Sequence, residues 1–389
     1  MLLGSPCTIR RALTLEFYIL RQLLTGFVFS VGGMLFVAIP GILVGAIQKI
    51  GGIGMGALLG YLPLMIVELV PYLAPIALLL TVVTTYGRIA ADNEWTAISM
   101  AGVHPLRVIK PALLLTIMIA APLQWVMTDV SPNLNFAKRN YAKNSVMRAM
   151  RTLSPGKTEL RFKNFYLSAR SRGADNRNRF EQVFIHMPAT RDGEQQTIIA
   201  KTAEFSFDGG YMVVELTSPR WISGEHDLRV GNSRLRINLD ALFETDTSAR
   251  DAWKFQESGE LYRRIDNTLA KIDEGGEAAL DGLTQAQGYI PFRELSAARF
   301  ELHMRNTVAA SCLMFMLLGI ATGLTLRSGA QLGALATGVG YALVYYLLSM
   351  RLGKGFALSG AVPQWFAAWA VTLGGTVAGL VLCWKALRR

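Results

Sequence analysis

Six stretches of this 389-residue chain carry no charge, or a single one, over lengths a soluble core does not need. A helix rises about 1.5 Å per residue, so about 20 apolar residues cross a hydrocarbon core of about 30 Å. Gln22 to Gln48 supplies 27 uncharged residues, and between Leu58 and Thr84 the sole charge is Glu68. Pro111 to Thr128 supplies 18. After a long polar interval come 21 residues between Arg305 and Arg327, 23 between Arg327 and Arg351, and 30 between Lys354 and Lys385. The pattern predicts six transmembrane helices in two groups of three. The third is the shortest and holds Pro111, Pro122 and Gln124, with Trp125 suited to an interfacial anchor.

Short cytoplasmic loops collect Lys and Arg, which orients such spans. With the N-terminus inside, the inner flanks hold Arg10, Arg11, Arg21, Arg88, Arg107, Lys110, Arg327, Lys385, Arg388 and Arg389. The outer short loops hold Lys49, Arg351 and Lys354. Ten against three predicts that both termini are cytoplasmic and that residues 129–305 lie outside. The first apolar stretch is too long for a signal-peptide core and is expected to stay as the first span. The net charge of +11 could suggest a nucleic-acid partner, but the interval 129–305 has 26 basic and 24 acidic residues. The membrane part therefore carries +9, from 13 basic and 4 acidic residues, so the excess belongs to topology and no nucleic acid is expected. Cys7, Cys312 and Cys383 all lie in or beside the membrane part, and the exported interval has none.

Within that interval, Asn133 to Leu153 has no Pro or Gly and reads as a helix continuing out of the third span. Short segments rich in β-branched and aromatic residues follow: Glu159 to Ala169, Phe180 to Met187, Gln196 to Phe207, Tyr211 to Thr217 and Leu228 to Leu239. Turn formers separate them, among them Asp192-Gly193, Asp208-Gly209-Gly210 and Pro219. Alternation in EFSF and RLRINL gives strands with one buried face, and their number favours a sandwich or jelly roll over a meander. Residues 251–285 turn helical and polar, and 251–301 holds ten acids against six bases.

Catalytic signatures are scarce. Gly156-Lys157-Thr158 resembles the end of a phosphate-binding loop, but Arg151 stands where the motif needs its first glycine. His104, His186, His226 and His303 are scattered singly, which suits structural roles better than a metal site. No catalytic residue, metal or cofactor of the chain's own is expected. Glu68 is the one intramembrane carboxylate, where a carrier tends to have several; a relay role is open to it, but pairing with a neighbouring helix or a place near the outer interface is favoured. Uphill transport by such a chain would draw its energy from another protein. The inner loop Tyr86 to Pro111 offers a place for one. Ile89, Trp95, Ile98 and Met100 fall on one side of a short amphipathic helix, with Arg88, Asp92 and Glu94 elsewhere, Gly102 as its stop and Pro105 beyond. On the residues alone, an ordinary solvated inner loop is the favoured reading.

The residues also carry a resemblance. Tyr18-Ile19-Leu20-Arg21, then PYLAPIALLL followed by YGRIAADNEWTAISMAGV, then Ile199-Ala200 with Phe205 to Leu216, then LRSGAQLG and AVPQWFAAW resemble segments of the LptF/LptG (YjgP/YjgQ) family. Its members are permease subunits of the ABC transporter that exports lipopolysaccharide. The resemblance implies an α+β membrane protein of six spans (3+3) with an inserted extracytoplasmic β-jelly-roll domain. Its expected parts are an N-terminal amphipathic helix at 1–22, three spans at 23–128 with a coupling loop at 85–107, a periplasmic domain at 129–305, and three spans at 306–389. It implies inner-membrane localisation and an ATPase dimer that binds the ATP. It further implies a paralogous or identical permease partner, a periplasmic jelly-roll bridge protein, and lipopolysaccharide or a related multi-acyl lipid as cargo. Glu94 matches the acidic residue that contacts the ATPase, with Arg88 and Asp92 as helpers. The first and fifth spans, Phe27 to Ile47 and Leu332 to Leu348, would be lateral gates, and Lys49 sits where the family places basic residues near lipid phosphates. The sequence departs from the family in its thin basic cluster at Lys49 and in the acidic segment after Arg250. Two other classes stay open: a mechanotransmission ABC subunit that passes no lipid, and a six-span structural anchor.

Overall fold

The computed structural model describes residues 6–50, 55–152, 159–162, 165–172, 179–187, 196–208, 211–223, 226–229, 231–238, 252–276, 280, 287–325 and 331–388. The Gly156-Lys157-Thr158 match lies outside them. The helices are α1 (Pro6–Ile50), α2 (Met55–Ala91), α3 (Glu94–Met100), α4 (Pro105–Trp125) and α5 (Ser131–Thr152). After the strands come α6 (Ser258–Gly275), α7 (Phe292–Thr325), α8 (Gln331–Tyr346), α9 (Lys354–Leu358) and α10 (Gln364–Leu387).

Among the described residues, five helical stretches are long and apolar enough to cross a membrane: Leu15–Gln48, Met55–Ala91, Pro105–Ala142, Phe292–Thr325 and Gln364–Leu387. The third runs past Pro122 because a π turn, Val126–Val130, joins α4 to α5 without a break. The expected fifth span falls on α8, whose 16 α-helical residues reach about 24 Å. A second π turn, Leu347–Gly353, carries the helix through Arg351, where the charge pattern placed its end. Helix α1 is one 45-residue helix, Pro6–Ile50, that runs without a break past residue 22. Likewise α7 passes through Arg305 uninterrupted.

The chain divides into two compact units. The first is Met1–Ala38, Glu68–Asn133 and Gln256–Arg389. Its central helix is α7, buried along most of its length from Leu295 to Leu324. Small residues let neighbours approach it, as membrane helices require in the absence of a hydrophobic drive between them. A Cβ added at Gly323 would lie 2.9 Å from the backbone nitrogen of Gly87 and 2.9 Å from the Val83 carbonyl oxygen, so α2 meets α7 backbone to backbone. At Gly379 it would lie 2.9 Å from Leu317 Cβ, which sets α10 against α7. Polar side chains add ties: Gln124, in the expected third span, donates to Asn306 of α7, and Thr81 of α2 donates to Ser30 of α1 at 3.1 Å. At the start of α6, Arg305 is buried and donates to the Gln256 carbonyl at 2.9 Å and to Ser258 at 3.3 Å, with Glu301 at 3.7 Å. Ser258 donates in turn to the Thr128 carbonyl in the π turn, and Asn133 to Glu257 at 3.0 Å. The described part of the acidic stretch after Arg250 holds the amphipathic helix α6, which buries Leu261, Arg264, Ile265 and Thr268 and carries Glu260 bridging to Arg264 and Lys271 to Glu274.

The second unit is Ile39–Val67 and Leu134–Phe255. Ala46, Leu58 and Tyr61 form an apolar cluster with Tyr141, whose ring stacks on that of Tyr61 at 6.3 Å. Eight strands follow: β1 (Glu159–Phe162), β2 (Phe165–Arg172), β3 (Arg179–Met187), β4 (Gln196–Asp208), β5 (Tyr211–Thr217), β6 (Arg220–Ser223), β7 (His226–Arg229) and β8 (Ser233–Asn238). They form one antiparallel sheet. The β4 ladder pairs Thr202 with Thr217 and Ile199 with Arg220, in one unbroken register, so β5 and β6 act as a single strand interrupted at Ser218. The same holds for β7 and β8, which pair Arg220 with Arg229 and Tyr211 with Asn238. The described pairings are therefore those of a meander of consecutive hairpins, the topology that strand number had disfavoured; jelly-roll crossovers are not among them. A line of distortion crosses the sheet. The ladders of β3 skip Gln182, which takes φ 50°, and on the far side of β4 Ser218, also at φ 50°, falls at the same level between β5 and β6. The buried face then shifts by one residue: Val183 and Ile185 on one side of the line, Phe180 on the other. No residue is inserted, since the register is the same on both sides of the line, so the distortion switches the buried face without shifting the pairing.

Candidate partner-docking site

The expected amphipathic inner helix is two elements. Tyr86 and Ile89 are buried in the last turns of α2, which closes with Asp92 donating its amide to the Arg88 carbonyl. Asn93 then adopts φ 58°, a left-handed conformation that asparagine tolerates better than most residues. This breaks the helix and resets its phase. Seven residues, Glu94–Met100, form α3. Trp95 is 7% exposed and packs with partly buried Ile98 in the large apolar cluster formed with α1, α2, α4, α7 and α10. Met100, expected on that face, is instead 85% exposed. Counting from Trp95, it lies five residues on, about 140° round the helix, whereas Ile98 at three stays close. Gly102, at φ 71°, closes α3 as expected, its amide bonded to the Ser99 carbonyl. His104 accepts the Leu106 amide at 3.3 Å and so caps α4, with Pro105 in the first turn.

The roots of the loop are fixed as firmly as α3 itself. The Tyr86 hydroxyl, fully buried, donates to the Val108 carbonyl at 2.6 Å and joins α2 to α4. The resulting surface displays exposed Arg88, Asp92 and Met100 around half-buried Glu94. Among the described residues Glu94 forms no ion pair with Arg88. Its hydrogen-bond partner is Tyr18 of α1, whose hydroxyl donates to Oε1 at 3.4 Å. A separation of 76 residues hid this pairing from sequence reasoning, although Tyr18 opened one of the family-like segments. Lys49 lies in the last turn of α1, and its side chain is outside the described residues. The expected gate spans carry exposed apolar side chains, Phe29, Phe36 and Val37 on α1 and Leu343 and Val344 on α8. No group of three His, Cys, Asp or Glu side chains converges as a metal site among the described residues.

The short helix α3 thus packs on the bundle by one apolar edge and leaves charge on the other. Comparison with curated proteins finds no match. The family comparison does: the model for "Lipopolysaccharide export system permease LptF/LptG" matches residues 17–385, nearly the whole chain, and the protein belongs to that family of inner-membrane transporter components.

Proposed function

We propose that this chain is one of two permease subunits of an ABC exporter that lifts lipopolysaccharide, or a related multi-acyl lipid, out of the inner membrane. The observation that carries the reading is α3, anchored by Trp95 and presenting Glu94 beside exposed Arg88 and Asp92. Both termini and α3 face the cytoplasm, in keeping with the ten-to-three bias of basic residues. An ATPase dimer binds the ATP and grips α3, with Glu94 as the main contact. The strand-bearing unit lies in the periplasm, and α8 with its π turn serves as the fifth span in chain order, which brings the number to six.

Removing a multi-acyl lipid exposes its chains at about 0.8 kcal/mol per CH₂, so dozens of methylenes demand a continuous apolar route and an external motor. The exposed apolar faces of α1 and α8 flank that route as lateral gates, with Lys49 near the lipid phosphates. Closure of the motor moves α3 and collapses the cavity. The sheet then receives the chains and passes them to a periplasmic bridge protein by strand pairing at its edge.

Detergent co-purification tests this. Recovery of the ATPase together with a multi-acyl lipid identified by mass spectrometry supports the exporter. The ATPase without lipid points to mechanotransmission, and neither points to an anchor.

A further inference from the structure

We propose that Tyr18 is a positioning residue for the coupling carboxylate, holding Glu94 in place and tying α3 directly to the first span. The inference rests on the reading of Glu94 as the motor contact. The Tyr18 hydroxyl donates to Glu94 Oε1 at 3.4 Å, a long bond that orients one carboxylate oxygen and leaves Oε2 for a cation of the partner. Tyr18 is 44% exposed and Glu94 half-buried, so the pair lies where a docked protein reaches it. One residue further along each helix, Ile19 and Trp95 are buried in the same apolar cluster, together with Leu23 and partly buried Leu15, Leu20 and Ile98. The polar contact thus stands beside an apolar cluster that welds α1 and α3, with their neighbours, into one packed core.

The weld has a mechanical consequence. Helix α1 runs unbroken from Pro6 to Ile50, so a push on α3 reaches the first span through Tyr18 and Ile19. The alternative path, through α2, must cross the left-handed turn at Asn93. Packed cores switch between discrete arrangements rather than flexing, so a side-by-side weld moves two helices as one body.

A double-mutant cycle on the full permease complex tests the proposal, with affinity for the purified ATPase subunit as the readout. Tyr18→Phe keeps the ring and its packing and removes the donor. It should weaken binding about two- to tenfold, the range of one hydrogen bond. Glu94→Ala should weaken it further, and the double variant should bind no worse than Glu94→Ala alone, because Tyr18 acts through the carboxylate. Unchanged affinity in Tyr18→Phe, or losses that multiply in the double variant, would overturn the proposal and leave the role of Glu94 standing. Unchanged affinity in Glu94→Ala would overturn both.

Discussion

Replacing Gly323 with alanine tests how closely α2 and α7 must meet. The new Cβ would lie 2.9 Å from the Gly87 nitrogen, 2.9 Å from the Val83 oxygen and 3.0 Å from Tyr86 Cβ. Carbon contacts settle at about 3.5–4.0 Å, so the crossing would have to open by roughly 0.5–1 Å. Two of the three obstacles are backbone atoms, which cannot swing aside as a flexible side chain does. Overpacking a tight interior costs about 1–3 kcal/mol, and two backbone contacts against one methyl place this case near the top of that range. Alanine's better helix propensity offsets about 0.5–1 kcal/mol. The net loss is about 2 kcal/mol, roughly a thirtyfold change in the folded-to-unfolded ratio. Gly374→Ala is the control: its Cβ meets open space, so it should gain up to about 1 kcal/mol. Reversible unfolding of the purified chain in mixed micelles, followed by circular dichroism, measures both. If Gly323→Ala proves as stable as Gly374→Ala, the two helices do not meet backbone to backbone and the reasoning fails.

Other expectations follow from the same geometry. Glu94→Arg should abolish recovery of the ATPase in a pull-down while leaving membrane insertion intact; an unchanged pull-down would remove the coupling assignment. Trp95→Ala removes the side chain that holds α3 to the core and should cost about 3 kcal/mol, felt first as protease cleavage within residues 92–103. Equal protease resistance in the variant and the parent would show that α3 is held by something else. Arg305→Leu strips two hydrogen bonds from the start of α6 and should cost about 2 kcal/mol, discounted because Glu301 is 46% exposed and stays solvated. Hydrogen exchange at Ser258 to Leu261 should accelerate before that of α7, and unaltered exchange there would count against the tie.

Much of the membrane part was legible because burying charge in hydrocarbon is costly, and that cost is written into the sequence as long uncharged runs. The strands were legible for a related reason. Alternating β-branched and aromatic residues between turn formers marked Phe180 to Met187, Gln196 to Phe207 and Tyr211 to Thr217, and strands occupy Arg179–Met187, Gln196–Asp208 and Tyr211–Thr217. Topology was less accessible, because hairpin and crossover connections can use the same turn residues. Continuity was also hidden. Charges at Arg21, Asp129 and Arg305 read as boundaries, yet α1, the α4–α5 rod and α7 run through them, since a helix satisfies its own backbone on both sides of an interface.

The candidate site divides in the same way. Gly102 and Pro105 announced the end of α3 and the start of α4 by chemistry that is local. The break at Asn93 depends on a single left-handed residue, and without it the apolar phase carried Met100 to the wrong face. The Tyr18 contact is a product of tertiary packing, and the spacing of the two residues holds no trace of it.

The central claim is that ATP hydrolysis by the docked ATPase, transmitted through α3, is spent on moving lipid. Reconstitution of the complete permease–ATPase complex with lipopolysaccharide in vesicles, beside an acceptor jelly-roll protein in solution, tests it most directly. Lipid should leave the bilayer for the acceptor when ATP is supplied, and should stay when Glu94→Arg is used in its place. ATP turnover by the intact complex with all of the lipid retained in the vesicles would contradict the account.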